Sequence, residues 1–579
     1  MALLAAFPTS LPLIISLAFQ AGATARFAAL PSAQPPADSQ RVIRRARDAQ
    51  AEFERVRRAN LPLDTRGSTG RCDVHVGRFC YWWDDGEFPA PPEMPRTKTA
   101  RAVLLERLAK AAAALPGDRW IAGQRVRYLV EDGRVPEAVT AAGECRADVA
   151  WCAALAGYAF HAAGDFLHAD SAFATALAAM PERDRCRWTD IRLLLDDDAR
   201  KRYERMSCAD RAPFEARFWG MSRPLYMLPA NDLRTEHFAR LTMAELIRTS
   251  RYPHQMPWGD DSQELLVRYG WETGWARTAP SLSSPSDVHV VGQEPTPSLD
   301  FVPAADALAA PDSADASDWA LHDPLAQTRY APRYARSVAE LEHQIAFFRR
   351  SGDSALVVAA FDASAATGFE RDTIAAALAV AVPSAPDSAR VTALSATRRR
   401  GVLTTLGSWA PQIVSVEARD SLARRVARAR AVARPPTSNG RVTISDLLLF
   451  DDPSTLPTTL DEAAARARGS LRVARATPVG VYWEMYGVSP AGESLAYRLT
   501  VTRERAPWYR RAAEKLGVVD RRAPVRMQWD EPSARPGAAH SRALAVDFST
   551  LPEGRYRIEL TLETGSLTVA SASRVVDVR

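Results

Sequence analysis

Hydrophobic positions along this chain fall into two regimes separated by a break. Between about residue 38 and residue 250, apolar residues recur every three to four positions, the period of helices that bury one face. Residues 38–60, with Glu and Arg on the wet side, read as the first helix, and helices resume at Thr99. Residues 264–269 depart from this period: Leu265, Val267 and Tyr269 alternate, which predicts a short strand. Residues 280–320 are rich in Pro, Ser, Ala and Asp, with one strand-like run at 288–291. Such a composition buries too little apolar surface to fold alone, so a linker or a strap across neighbouring domains is expected. From about Leu341 the period shortens to two. Candidate strands are 344–350, 355–362, 374–382, 390–395 and 412–417, and the alanine-rich 374–382 also fits a helix. After a connection at 439–452, a second β unit follows. In it Tyr482, Glu484 and Tyr486 oppose Val481, Trp483 and Met485, Tyr497 to Val501 and 525–529 continue the sheet, and 556–562 and 569–578 close it. Short strands at regular intervals predict antiparallel sandwiches.

Residues 153–181 carry the most specific local pattern. Small and aromatic residues fall where one short helix nests into the next: Gly157, Phe160, Gly164, Phe166, Ala169, Phe173, Ala176 and Pro181. Gly157 and Ala169 allow close backbone approach, and the phenylalanines fill the groove. Gly164 with Asp165 supplies the turn, and Pro181, lacking an N–H, stops the second helix. These eight positions resemble the tetratricopeptide repeat. Residues 119–143 look like a degenerate copy, because Gly133 precedes Gly164 and Ala138 precedes Ala169 by 31 residues, against a period of about 34. The resemblance implies a helical-repeat scaffold over 99–210, with flanking helices such as one within 183–206 completing its core.

The next stretch, 211–279, begins with an aromatic cluster, Phe214, Phe218 and Trp219. Asn231 or Asp232 can cap the helix that follows, in which Glu236 and Arg240 sit one turn apart. That start, the Asn231–Glu236–His237–Arg240 helix, an acidic turn at Asp260 and Asp261, and a segment ending Arg268, Tyr269, Gly270 resemble the domain named for its GWxTD motif, found in bacterial envelope-associated proteins. Here the motif reads Gly270-Trp271-Glu272-Thr273-Gly274, so glycine replaces its aspartate, and it follows the predicted strand. At the place where the family has the motif, the turn reads Trp258-Gly259-Asp260-Asp261. The resemblance implies a small mixed module in which Trp219, Asn231, Glu236, Arg240, Asp260, Asp261, Arg268, Tyr269 and Gly270 are structural, and it brings no settled activity. In the last β unit, the run from Leu551 through Pro552 and Gly554 to Tyr556 resembles the start of a late strand in bacterial immunoglobulin-like domains, whose tyrosine packs and bonds at the sheet corner.

Composition fixes the compartment more than the chemistry. A length of 579 residues suggests three or four units at about 150 residues each. Net charge is +5, and the arginines are interleaved with Asp and Glu, which excludes a polyanion-binding surface and hence a nucleic-acid partner. Residues 1–25 are uncharged, with an apolar run at 11–17 and small-residue cleavage sites at 21–25, as in a secretory signal peptide. They lack the usual basic start. No other segment is long and apolar enough to span a membrane, so the mature chain is expected to be exported, periplasmic or extracellular. The six cysteines fit export and lie close together in pairs: Cys72 with Cys80, Cys145 with Cys152, Cys186 with Cys208. Loop closure favours bridges between neighbours. Free thiols are the alternative, and no CxxC spacing supports a metal site.

The expected organisation is multidomain α+β: signal peptide 1–25; an N-terminal helix and Cys-bounded loop 26–98, whose Tyr81, Trp82 and Trp83 cap the first helix pair or form an exposed aromatic site; tetratricopeptide-like repeats 99–210; a GWxTD-like module 211–279; a linker 280–335; and two immunoglobulin-like sandwiches, 336–435 and 436–579. No GxSxG, phosphate loop or HExxH is present, and the nine histidines are scattered. Glu236 and His237 with Asp260 and Asp261 make the nearest approach to a site, short of three convergent ligands. No catalytic residue, metal or cofactor is assigned. The composite expectation is a non-catalytic envelope scaffold that binds a protein or peptide through its repeats. Its rivals are a secreted hydrolase of peptide or glycan, which a pocket with perturbed carboxylates would favour, and a structural cell-surface component.

Overall fold

Helices fill the N-terminal half and strands the C-terminal half. The computed structural model describes residues 37–64, 72–83, 91–278, 289–323, 325–438, 441–488, 494–504, 525–532, 539–564 and 567–579. The expected signal peptide, 1–25, lies outside the described residues. Helices α1 (Ala37–Ala59), α2 (Pro95–Ala114), α3 (Arg119–Glu131), α4 (Val135–Gly143), α5 (Val149–Ala163) and α6 (Phe166–Ala179) stack as successive hairpins. Their boundaries follow from capping. Asp118, Asp148 and Asp165 each accept a bond from a backbone N–H in the first turn that follows, and Gly164, at φ +76°, closes α5 in the left-handed conformation.

The 153–181 hairpin is α5 and α6. Ala169 and Ala176 are fully buried, and a Cβ on Gly157 would sit 2.7 Å from the Phe173 ring. Ala169→Leu is therefore expected to overpack the crossing and cost about 1–3 kcal/mol. Its neighbour Asp170 accepts from Arg234 Nη2 at 2.7 Å, with both side chains about a third exposed. Asp170→Leu should lose up to ~1 kcal/mol, as a half-exposed ion pair does. Thermal unfolding of the two variants should rank Ala169→Leu well below Asp170→Leu.

Residues 183–206, expected as one helix, form α7 (Glu182–Thr189) and α8 (Asp197–Glu204) around a short turn; α9 (Cys208–Ser222) and α10 (Asp232–Arg248) follow. Among the described residues the disulfides are Cys72–Cys80, Cys145–Cys152, which joins the end of α4 to the first turn of α5, and Cys186–Cys208 between α7 and α9. Residues 264–269 are not a strand but the end of α11 (Asp260–Tyr269). Three alternating positions carry little information. Two aspartates in the first turn and burial of Ser262, Leu266 and Tyr269 along one face favour the helix.

The segment expected as a linker, 280–335, is a packed strap over its described part. Strand β4 (Val290–Gln293) pairs with β3 (Gly274–Arg277), and α12 (Ala305–Ala309) and a turn at Ala316–Trp319 lead into the sandwiches. Leu299, Phe301, Leu308, Trp319 and Tyr330 are buried in one core with α8, α9 and the first sandwich. Most of its large described residues are used in this way, Leu325 being exposed, which average composition hides. A small hairpin, β1 (Val74–Val76) and β2 (Phe79–Tyr81), packs on α11. Tyr81 and Trp83 accordingly do not cap the first helix pair. Tyr81 stacks on Tyr269 with ring centroids 3.7 Å apart, and Trp83 donates to Ser298 O at 3.1 Å.

The first sandwich holds β5 (Ser337–Glu340), β6 (Glu342–Arg349), β7 (Ser354–Asp362), β8 (Thr373–Ala381), β9 (Arg390–Arg398), β10 (Arg400–Ser408), β11 (Gln412–Asp420) and β12 (Arg425–Ala433). The sheet β10-β7-β6 faces the sheet β5-β12-β11-β8-β9 across a core of Phe347, Phe361, Leu378 and Val416. The alanine-rich 374–382 is strand β8. In the second, β13 (Thr443–Ile444), β14 (Leu448–Phe450), β16 (Val479–Tyr486) and β19 (His540–Val546) face β15 (Arg472–Val473), β17 (Ser494–Arg503), β18 (Val525–Pro532), β20 (Gly554–Thr564) and β21 (Leu567–Val578). Tyr556 is buried and its hydroxyl donates to Pro552 O at 2.8 Å, the corner bond expected of it. The sandwiches are joined tightly: Gln344 bonds both backbone groups of Leu449, at 2.7 and 3.0 Å.

Candidate functional site

Helix α10 decides where a ligand can go. It lies along α3, α5 and α6, with Phe238, Met243, Leu246 and Ile247 buried among Ile121, Val126, Leu155 and Phe173. Gln124 Nε2 donates to Leu246 O at 2.9 Å, and the Phe173 and Phe238 rings are 5.4 Å apart. The face that the helical hairpins would offer to a peptide is thus covered by the chain's own helix. Beside α10 a cavity of about 420 Å³ remains, walled by the ends of α1 and α3, by α5 and α10, by the 269–275 turn and by the strap.

Of the nine residues singled out around the motif, Glu236, Arg240, Tyr269 and Gly270 line this wall, and the others support it or lie elsewhere. Asn231 caps α10, accepting from Arg234 N and donating to Trp219 O at 2.6 Å. Arg240 donates to Glu236 Oε1 at 2.7 Å, to Val267 O and Arg268 O at 3.0 Å, and to Arg329 O at 2.6 Å, tying α10 to α11 and the strap. Gly270, at φ +102°, lets the chain turn over that guanidinium, and a Cβ there would lie 3.2 Å from it. Arg268 donates to Glu264 and to the Tyr269 hydroxyl. Burial pushes the Tyr269 phenol up to about 12. The turn then lays Trp271 over Arg127 and Trp275 over Arg57, with guanidinium carbons 5.5 and 4.6 Å from the ring centroids.

The other suspected cluster does not assemble. His237 points away from the cavity toward Trp219, 5.3 Å between ring centroids, and burial followed by the Arg240 charge pushes it down to about 3. Asp261 binds Arg78 on the hairpin, at 2.6 and 2.7 Å, and Asp260 begins α11.

Sequence reasoning missed His161, Glu131, Glu272, Arg57 and Arg101. His161 Nε2 lies 2.7 Å from Glu236 Oε2, and its Nδ1 lies 2.9 Å from Thr235 Oγ1. The Thr235 hydroxyl itself donates to Asp232 O at 3.0 Å. Burial would raise the Glu236 carboxyl, but the charges of Arg240 and His161 outweigh it and hold it far below the usual range. Glu131 accepts from Arg57 Nη2 at 2.6 Å and from Arg127 Nε at 2.9 Å. Glu272 accepts from His254 Nε2 at 2.8 and 2.9 Å and from Trp275 Nε1 at 2.6 Å. Glu93 takes both forks of Arg101. Among the described residues, then, each of the four carboxylates on the cavity wall has both oxygens engaged. Any signal for them lay in helical spacing, such as Arg127 and Glu131 one turn apart, and not in a motif.

Among the described residues no group of three His, Cys, Asp or Glu side chains could hold a metal ion, and no helix is long and apolar enough to cross a membrane. No protein-family model matches the chain, and no curated protein does. Solved structures similar to it include an immunoglobulin-like protein from Pseudomonas aeruginosa, at 15% identity over 25% of this chain and 96% of that one, with a TM-score of 0.14. The FN1–FN3 domains of chicken CNTN1 match at 10% identity over 44% and 70%, with a TM-score of 0.15. Red sea bream transglutaminase matches at 11% over 42% of this chain and 32% of its own, with a TM-score of 0.13.

Proposed function

We propose that this chain is an exported, non-catalytic binding protein whose recognition element is the cavity beside α10, and not a repeat groove. The observation that carries this is the state of the wall. Every carboxylate there is saturated by arginine, histidine or indole donors, which suits holding a shape and leaves no free general base. A volume of about 420 Å³ is that of a small-molecule site. Disulfides support an oxidising compartment. On this reading the helical hairpins are tetratricopeptide-like and α9–α11 with the turn are GWxTD-like. The two sandwiches are immunoglobulin-like spacers that present the helical half in the cell envelope.

A secreted hydrolase remains the second reading, on one observation. Glu294, bonded to Tyr81, is pushed up to about 8 by burial and by the charge of Glu272. A carboxyl held up in this way can serve as a general acid. Against it, both oxygens of Glu272 are already occupied. A thermal-shift screen of small polar molecules, run beside assays with chromogenic glycosides and peptides, separates the readings. We expect stabilising hits that vanish in Ala331→Phe, which fills the cavity from the strap, and no turnover. Turnover abolished by Glu294→Gln would establish the hydrolase instead.

A further inference from the structure

We infer that one end of the first sandwich docks on an anionic phospholipid bilayer, with Leu422 entering the interface and arginines meeting the lipid phosphates. Arginines and acids alternate along most of the chain, but folding separates them here. The sheet β5-β12-β11-β8-β9 gathers its connections at this end. Ser337 lies beside Arg425, Arg425 beside Asp420, Arg419 beside Ala375, and Thr373 beside Arg398. The segments that meet there, 331–337, 362–373, 398–400 and 420–425, carry eight arginines and four acids. Three of the acids are spent within the patch: Asp420 on Arg371 at 3.7 Å, Asp372 on Arg399 at 3.2 Å and Asp362 on Arg400 at 2.7 Å. Among the described residues Arg333, Arg336, Arg398, Arg424 and Arg425 form no ion pair, and Glu370 alone is left in these segments to offset them. Arg333, Arg336 and Arg398 are exposed.

An apolar tip sits among these cations. Leu422, in the turn between β11 and β12, is 75% exposed, the most of any large apolar side chain among the described residues. The turn that presents it is fixed. Asp420 Oδ1 accepts from the N–H groups of Leu422 and Ala423 at 3.0 and 2.9 Å, and Arg424 takes φ +54°. Arg336 N donates to Arg424 O at 2.6 Å and Arg424 Nη2 to Arg333 O, which ties the turn to the strap. A soluble polyanion gives Leu422 nothing, whereas the interface of a bilayer takes its apolar surface out of water. Each arginine near a negatively charged bilayer adds an attraction that falls off within a Debye length, and its aliphatic stem reaches along apolar surface while the guanidinium stays with the phosphates. Among the described residues no helix is long and apolar enough to cross a membrane, so contact through this end is peripheral. The inference does not depend on what the cavity binds.

The test is flotation of the full chain with vesicles of phosphatidylcholine alone, or of phosphatidylcholine and phosphatidylglycerol in equal parts. Binding should require phosphatidylglycerol and weaken as salt rises. Arg336→Gln and Arg398→Gln should each weaken it about fivefold, as the loss of one surface charge does. Arg44→Gln, on α1, removes the same charge elsewhere and should leave it unchanged. Leu422→Ser should weaken vesicle binding several-fold without changing retention on heparin, a soluble polyanion. All four side chains are exposed, so the variants should melt with the wild type. Equal binding to phosphatidylcholine alone, or a loss in Arg44→Gln as large as in Arg398→Gln, would overturn the assignment of this surface. Vesicle binding unchanged by Leu422→Ser, or retention on heparin with no vesicle binding, would overturn the bilayer in favour of a soluble polyanion.

Discussion

Replacing Glu417 by alanine is expected to uncouple the helical half from the first sandwich, at a cost of about 3–5 kcal/mol. Glu417 is fully buried on β11 and accepts from the backbone N–H groups of Tyr226 and Met227, both at 2.9 Å, and from Ser415 Oγ at 2.8 Å. Arg430 approaches it at 3.3 Å and donates onward to Arg223 O at 2.6 Å. Arg428 donates to Pro224 O at 3.0 Å. The carboxylate thus sits where the loop between α9 and α10 meets the sheet. Removing it orphans two backbone donors and leaves two buried guanidiniums short of a counter-charge. Denaturant unfolding followed by intrinsic fluorescence should change from one transition to two, the helical half melting first. Glu417→Gln, which keeps the acceptor oxygen, should lose less.

Glu131→Ala should cost the helical half a similar amount, about 3–5 kcal/mol, for the same physical reason in a different place. Glu131 holds Arg57 and Arg127, which with Glu54 form a quartet of side chains at most 7% exposed. The quartet joins α1 to α3 and carries Trp271 and Trp275 on its arginines. Burial alone would raise the Glu131 carboxyl, but Arg57 and Arg127 outweigh it and lower it below its ordinary 4.5. A carboxyl lowered by folding contributes its stability above the unfolded value and loses it as pH falls through the folded one. The difference between wild type and variant, measured by urea unfolding at several pH values, should therefore be full at pH 7 and shrink below about pH 4.5.

How far the sequence could be read depended on which side of each element met solvent. The α5–α6 hairpin was legible because Gly157, Ala169 and Phe173 fill one crossing. Strand β12 was not, because Arg428 and Arg430 sit where an exposed face is expected, yet both are buried against Pro224 and Arg223. Strand β8 lost its alternation because both its faces are covered, one by the sandwich core and the other by the strap and α9. The strap was read by average composition, whereas its hold comes from single residues such as Trp319, whose indole donates to Met221 O at 3.0 Å. For the site, the motif residues Arg240 and Gly270 were visible. The rest of the wall was not, because His161 meets Glu236 only where α10 lies over α5, and Arg57 meets Glu131 only across α1 and α3, helices far apart in the chain.

The central claim, that the cavity and not the repeat face is where this chain binds, is tested most directly by native mass spectrometry. The full chain would be incubated with the low-molecular-weight fraction of a bacterial envelope extract. One small-molecule adduct per chain, absent from Ala331→Phe at equal folding, is the predicted result. A bare wild-type chain, or an adduct that survives the filled cavity, would contradict the account.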